Sequence, residues 1–492
     1  MRLRGPLADS YVSAVALVVF ALTPYLALST ALAPVTPMIT KSLGMSRQSF
    51  ELTLGMANAA YAFGTVAAVQ FQVRLRGRRM LVLYATLLVA GSVLAAAART
   101  PALFITGRVL QGLCTSLMLI AAVPPLVIGW PSSRMPWTGA TMNMCIFGAV
   151  ALGPVIGGVQ AGANDWRPLF WIVAAFAAVA LLFSLLTFED QEPQDKSAPW
   201  DWVAQSLAGL GCAAAFFGAS ELQTHRLVSP IVLLPLLVGI ALVIALVVYE
   251  YRLKEPLMPV RAFVSTFPIA GIVVAMCAGA ASVALIQLVQ AALQTKMTPT
   301  HIGTLFWPQF GAAVATALLF GLLFRTRFVA LLAFGGLIVL SGGAAVLSGV
   351  TSGPDALVLV GSGLVGLGVG ASVSPALFLA GFSLRSELLP RVFALVELLR
   401  GVAAFMIAPV LMHLAQTVGG NPAAGTKTAI WVCFGIAAGG ALVAAYIVLL
   451  GRARLQRPDL ERWLGGEGGA IDSPPLAARV RGKRQELALG RR

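Results

Sequence analysis

Of the 492 residues 58% are apolar, only 11% carry a charge, and the net charge is +15. Soluble domains average about 25% charged residues, so the composition excludes a soluble enzyme and leaves a chain enclosed by lipid and by its own helices. On a soluble chain the positive excess would point to nucleic acid; here it fits basic loops on one side of a membrane, and no nucleic-acid partner is expected.

A helix needs about 20 apolar residues to cross hydrocarbon. Ten-residue alternating strand patterns are absent, so the crossings are helical, with every backbone polar group bonded inside its own segment. Fourteen such stretches follow in order, at about 12–34, 52–72, 80–98, 102–124, 137–160, 168–188, 202–221, 230–251, 267–292, 301–323, 328–348, 355–381, 391–416 and 428–450. The expected fold class is an all-α polytopic membrane protein. "MRLRGPLADS" leads into the first stretch without a small-residue cleavage site, so that span is expected to remain. All five cysteines fall in apolar spans without CxxC spacing and read as small buried hydrophobes.

With the N-terminus placed in the cytoplasm, 25 Lys and Arg fall on that side and 7 on the other, while Arg108 and Arg400 lie within spans. Both termini are therefore expected in the cytoplasm of a multi-pass protein of the cell inner membrane. The loop "FEDQEPQDKSAPWD" (188–201) is acidic on that same side, but acidic residues carry little topological weight. The tail 452–492 is rich in Gly and Arg and is expected to be disordered, either solvated or resting on anionic lipid.

Few residues within the spans carry chemistry. Arg108 on span 4 is an intramembrane charge, in the plainest reading an arginine bonded to carbonyls of neighbouring helices. On span 5, "GAVALGPVIGG" gathers Gly148, Gly153, Pro154, Gly157 and Gly158. Small residues four apart let two backbones approach in lipid, and the proline bends the helix. Near the outer end of span 7, Glu221, His225 and Arg226 read as a solvated loop, and Glu51 as peripheral. Gln287, Gln290 and Gln294 recur at i, i+3 and i+7 on span 9 and share one face, which either lines a central cavity or bonds to neighbouring helices. With Tyr25, Asn143, Phe306, Trp307 and Gln309 they give a mostly apolar pocket with a few polar groups, the usual character of a small-molecule site. Glu397 and Arg400 lie three apart on span 13. They read as a protonatable site tuned by the arginine, or as a structural ion pair near the cytoplasmic end. His301 and His413 stand alone; no metal cluster and no GxxxxGK[ST] loop occurs, so neither cofactor nor ATP drive is expected.

"GAVALGPVIGG" followed by "WRPLFW" resembles the fifth-span antiporter motif of drug:proton exporters of the major facilitator superfamily, with Gly148 one residue out of register. "GRVLQG" (107–112) is similar to that family's fourth-span motif, and Gly77, Arg78 and Arg79 to its loop 2–3 motif. "YEYRLKEPLMPVRAF" (249–263), "QTKMTPTHIGTLFWPQ" (294–309) and "GLVGLGVG" (363–370) resemble its fourteen-span branch. The resemblance implies a six-helix bundle over 1–188, two additional central helices with linkers over 189–262, and a second six-helix bundle over 263–451. It also implies a proton-coupling (relay) or binding role for Arg108 and matches Arg400 to a family arginine, whereas Glu397 has no family counterpart. Two family acids are missing: Arg74 replaces the loop 2–3 aspartate, and Tyr25 stands where a first-span aspartate is usual.

The function implied is a secondary active transporter that exports amphiphilic or hydrophobic small molecules by alternating access, coupled to protons through other acids. The missing aspartates keep open an uncoupled facilitator or lipid-type flippase of the same fold. A transport-inactive membrane accessory protein is the alternative from another class. The partners are a small-molecule substrate, protons and the lipid bilayer; a monomer is expected, and a periplasmic adaptor protein is left open.

Overall fold

The computed structural model describes residues 5–75, 77–187 and 199–476. Arg2, Arg4, Arg76, Lys196, most of the acidic loop and residues 477–492 of the expected disordered tail lie outside them. Among the described residues fourteen helices are long and apolar enough to cross a membrane. Spans 1–6 are Tyr11–Leu43, Arg47–Arg74, Gly77–Ala96, Pro101–Ile128, Ser132–Gly162 and Arg167–Thr187. Spans 7 and 8 are Trp202–Glu221 and Pro230–Arg252. Spans 9–14 are Thr266–Gln294, Pro299–Leu323, Val329–Leu347, Asp355–Phe382, Ser386–Thr417 and Pro422–Gly451.

The helix starts follow from the sequence. Side-chain oxygens of Ser10, Ser46, Thr100, Asp201 and Asn421 accept the first free amides of their helices, and proline opens spans 4, 8 and 14 where no amide is needed. Span 1 runs nine residues past its expected end because the helix continues through Pro34 and Pro37, which neighbouring helices make tolerable in a membrane. Span 5 contains a π-helical turn at Met144–Gly148. Such a turn inserts one residue into the helix, and it ends on the glycine that stands one residue out of register.

Spans 1–6 pack on one another, as do spans 9–14, and the two groups meet along spans 5 and 10, 2 and 13, and 1 and 9. Spans 7 and 8 pair closely, and span 7 lies against spans 2 and 13 at the edge of this junction. On the face away from the chain ends, Trp166 Nε1 donates to Ser42 Oγ at 2.8 Å. Arg167 donates to the carbonyls of Ala96 and Ala98, both at 2.9 Å, so the Trp-Arg pair ties the ends of spans 1, 3 and 6. On the other face, Gly77 opens span 3, Arg78 donates to Leu185 O at 2.8 Å, and Arg79 is exposed. Arg74 lies 4.8 Å from the centroid of the Trp200 ring.

The tail differs from its expectation as far as residue 476. A short helix, Leu460–Leu464, buries Trp463 against Phe382, and the indole N–H donates to Leu384 O at 2.7 Å. Ile471 N then donates to Phe382 O at 3.2 Å, and Thr266 N to Pro474 O at 3.0 Å. The bulk of the arginines hid one indole and a line of backbone bonds that fasten this segment to the ends of spans 9 and 12. Truncating a buried Trp costs about 3–5 kcal/mol. Trp463→Ala is therefore expected to speed amide exchange across 455–476 by a factor of about 100 or more; unchanged protection would contradict the docking.

Candidate functional site

Spans 5 and 10 touch near both ends of the junction between the two groups of spans. Near the chain-end face, a Cβ on Gly139 of span 5 would lie 2.5 Å from the Phe324 ring at the foot of span 10. Near the opposite face, a Cβ on Gly158 would lie 2.5 Å from Pro299 O and 3.0 Å from Gly303 Cα of span 10. The glycine motif is thus two-sided. Gly158 faces across the junction, while Gly153 and Gly157 face span 1, where a Cβ would come within 2.0 Å of Thr30 Oγ1 and 2.2 Å of Ala31 O. Pro154 is buried within the same helix. At Gly148 the nearest atoms to a Cβ all belong to the Met144 side chain of its own helix, so the first glycine of the motif is not pressed against a neighbouring backbone as the other three are.

Hydrogen bonds cross the junction at both ends, where Thr300 Oγ1 donates to Gly158 O and Arg325 to Ser132 Oγ, both at 3.4 Å, and between them. Asn143 Nδ2 donates to Gly370 O at 3.0 Å, Gln290 Nε2 to Thr30 O at 3.5 Å, and the Tyr61 hydroxyl to Glu397 Oε2 at 3.4 Å. Glu397 is paired with Arg400 at 2.5 Å, and both are buried. The helix begins at Leu389, so at 1.5 Å per residue Glu397 sits about 12 Å from that end. Tyr61 stacks on Tyr25 with centroids 5.9 Å apart, and the Tyr25 hydroxyl donates to Asn58 Oδ1 at 3.2 Å. The Arg108 guanidinium lies 5.0 Å from the Tyr25 ring centroid and donates to Gln111 Oε1 at 2.8 Å. Arg108, Tyr25, Tyr61, Glu397 and Arg400 thus form one buried chain across the junction.

Two cavities flank this chain. A mostly apolar one of about 30 Å³ is bounded by Leu26, Phe147, Ile286, Val369, Gln309 and Arg400. A more polar one of about 70 Å³ is bounded by Glu51, Asn58, Arg108, Ser220, Gln223 and Gln287. Ser29 and Phe405 border both.

The expected glutamine face splits accordingly. Gln287 borders a cavity, Gln290 bonds to span 1, and Gln294 is exposed because the helix ends there. Trp307 is 50% exposed and packs edge-on against Phe310, so it lies outside the cavities, while its neighbour Phe306 is buried. Glu221 is buried rather than solvated: Gln48 Nε2 donates to both of its oxygens, at 2.9 and 3.1 Å, and His225 Nδ1 lies 2.9 Å away. His301 meets Asp355 at 2.9 Å, and His413 meets Leu222 O at 2.8 Å. Sequence reasoning missed Ser29, Asn58, Tyr61 and Phe405. The signal for span 2 was there: Glu51, Gly55 and Asn58 recur at i, i+4 and i+7, one helix face with polar ends.

The sequence profile of the Major Facilitator Superfamily matches residues 18–408. Among curated proteins, the chain is 27% identical over 271 residues to the uncharacterized MFS-type transporter YubD of Bacillus subtilis, covering 55% of this chain and 53% of that one. It is 26% identical to the multidrug resistance protein B homolog of Mycobacterium tuberculosis (strain H37Rv), covering 58% and 54%. It is also 26% identical to the lincomycin resistance protein LmrB of Bacillus subtilis, covering 37% and 38%. The chain spans about half the length, or less, of these curated relatives. Among solved structures, the human organic anion transporter MFSD10 (TETRAN) superposes with a TM-score of 0.61 at 14% identity, over 88% of this chain and 99% of that one. Its helix arrangement is shared, and its identity is too low to speak for more than the fold. Profile and architecture agree, and the chain belongs to the Major Facilitator Superfamily, a family of membrane transporters rather than enzymes.

Proposed function

We propose that the chain is a proton-coupled exporter of amphiphilic or hydrophobic small molecules, working as a monomer by alternating access with both chain ends in the cytoplasm. One observation carries the coupling: a buried carboxylate, Glu397, sits on the boundary between the two helix groups and is held from both sides, by Arg400 on its own helix and by Tyr61 of span 2. Ionised, Glu397 accepts from Tyr61 and Arg400 and stitches span 13 to span 2. A proton on the carboxyl cancels the ion pair and weakens the stitch, so protonation and parting of the helices are linked through one group. Arg400, released from its partner, then bears on the cavity it borders. The excess of basic residues on the chain-end side supports the orientation. Relatives named for lincomycin and multidrug resistance support export of drug-like molecules.

The uncoupled facilitator keeps one specific point in its favour, Tyr25 and Arg74 in place of the family's two acids. Proteoliposomes with an imposed pH gradient separate the readings. Substrate-linked proton flux is expected for the wild type and should vanish in Glu397→Gln. Counterflow that ignores the gradient would favour the facilitator.

A further inference from the structure

Arg108 differs from the other membrane-embedded arginine. Arg400 is neutralised by Glu397, whereas Arg108 is 2% exposed, donates to the neutral Gln111, and makes no ion pair among the described residues. Its Nε has no hydrogen-bond partner. The tyrosine face beneath it supplies a cation–π contact, which lowers the cost of the charge without cancelling it. Charges within membrane spans are costly and normally face a partner or a cavity, and buried charges are normally paired.

Arg108 borders the more polar cavity, whose other walls bring hydroxyls and amides from Ser29, Asn58, Ser220, Gln223 and Gln287. The acid on that wall, Glu51, stands seven residues before Asn58, about 10 Å away along span 2, and one turn from Arg47. Beyond Ser29 and Phe405 lies the apolar cavity. A polar chamber with an unneutralised cation therefore adjoins an apolar one along the seam where the helix groups part.

We infer that Arg108 is the counter-ion for an anionic cargo: the site takes amphiphiles with a carboxylate head on Arg108 and an apolar body in the adjoining chamber. The inference rests on the exporter reading for its transport meaning and names the substrate class of that same site. Both chambers are small while spans 5 and 10 are in contact, so the body is accommodated as those spans separate. Span 7 supplies Ser220 and the turn after it Gln223 to the wall, which makes the additional helix pair part of the binding site.

The test uses the purified full chain in detergent and three probes with one apolar body: 2-naphthoate, 2-naphthamide and 2-naphthylmethylamine. A charge-assisted hydrogen bond contributes about 1.5–3 kcal/mol, so the acid is expected to bind at least about tenfold more tightly than the amide. Arg108→Gln should bind all three alike, and Arg108→Lys should keep part of the preference for the acid. Glu51→Gln removes a repelling charge and should raise affinity for the acid. Equal wild-type affinities, a preference for the amine, an acid preference that survives in Arg108→Gln, or its loss in Glu51→Gln would each overturn the assignment. Proton flux in proteoliposomes keeps the two readings apart. Acid selectivity without gradient-driven transport sustains the anion site and removes the coupling; gradient-driven transport without acid selectivity does the reverse.

Discussion

Leucine at Gly153 is expected to abolish transport while leaving the protein in the membrane at near wild-type levels. Insertion follows apolarity, and leucine is among the residues that favour it. Packing is another matter. Even a single Cβ at 153 would lie 2.0 Å from Thr30 Oγ1 and 2.5 Å from Ala27 O, both on span 1, and backbone cannot step aside as a flexible side chain can. The Thr30 hydroxyl is already committed to Val150 O at 2.6 Å. Overpacking a tight interface costs about 1–3 kcal/mol for far gentler insertions, and in lipid no hydrophobic drive holds the helices together against it. Gly148→Ala is the control from the same motif. The atoms nearest its Cβ are those of the flexible Met144 side chain rather than backbone, so transport should fall less than about twofold. Whole-cell efflux and membrane quantification check both; equal losses in the two variants would refute the contact-based account of the motif.

Arg400→Gln is expected to destabilise the folded protein by about 3–5 kcal/mol, because it leaves the Glu397 carboxylate buried with only the Tyr61 hydroxyl for a partner. Removing both charges should recover most of that loss, since a buried pair and a neutral pair of similar volume differ little in stability. The double variant Glu397→Gln/Arg400→Gln should therefore melt close to wild type and still bind substrate, yet move it without regard to a pH gradient. Thermal unfolding of the two single variants and the double variant gives the coupling energy directly. Strictly additive losses would show that the pair is not a unit. Gradient-driven transport in the double variant would take Glu397 out of the mechanism.

The fourteen crossings were legible because each is a long apolar run, and the bilayer forces every one into a helix. Features set by tertiary contacts were not legible in the same way. The segment to residue 476 looked like a basic tail, but Trp463 packs on Phe382 at the end of span 12 and Pro474 bonds to the start of span 9, contacts that no local pattern reveals. The same holds at the junction. Glu397 and Arg400 could be paired from spacing on one helix, whereas Tyr61 joins them from a position 336 residues away in the chain. Helical periodicity places Gln287, Gln290 and Gln294 on one face, yet a face extends past the cavity it borders, so Gln294 is exposed at the helix end. Trp307 failed for a different reason: an aromatic at the start of a span serves equally well facing outward as facing inward.

The most direct measurement ties spans 5 and 10 together near the face away from the chain ends. A Cβ at Gly162 would stand 3.7 Å from Thr300 Cβ, within the range of about 3.5–4.5 Å that a disulfide bridges, and the five native cysteines are free. In Gly162→Cys/Thr300→Cys, oxidation is expected to stop transport, and reduction to restore it, because the bundles must part at that end once in every cycle. Full transport with the bond demonstrably formed would contradict a seam that opens to each side in turn.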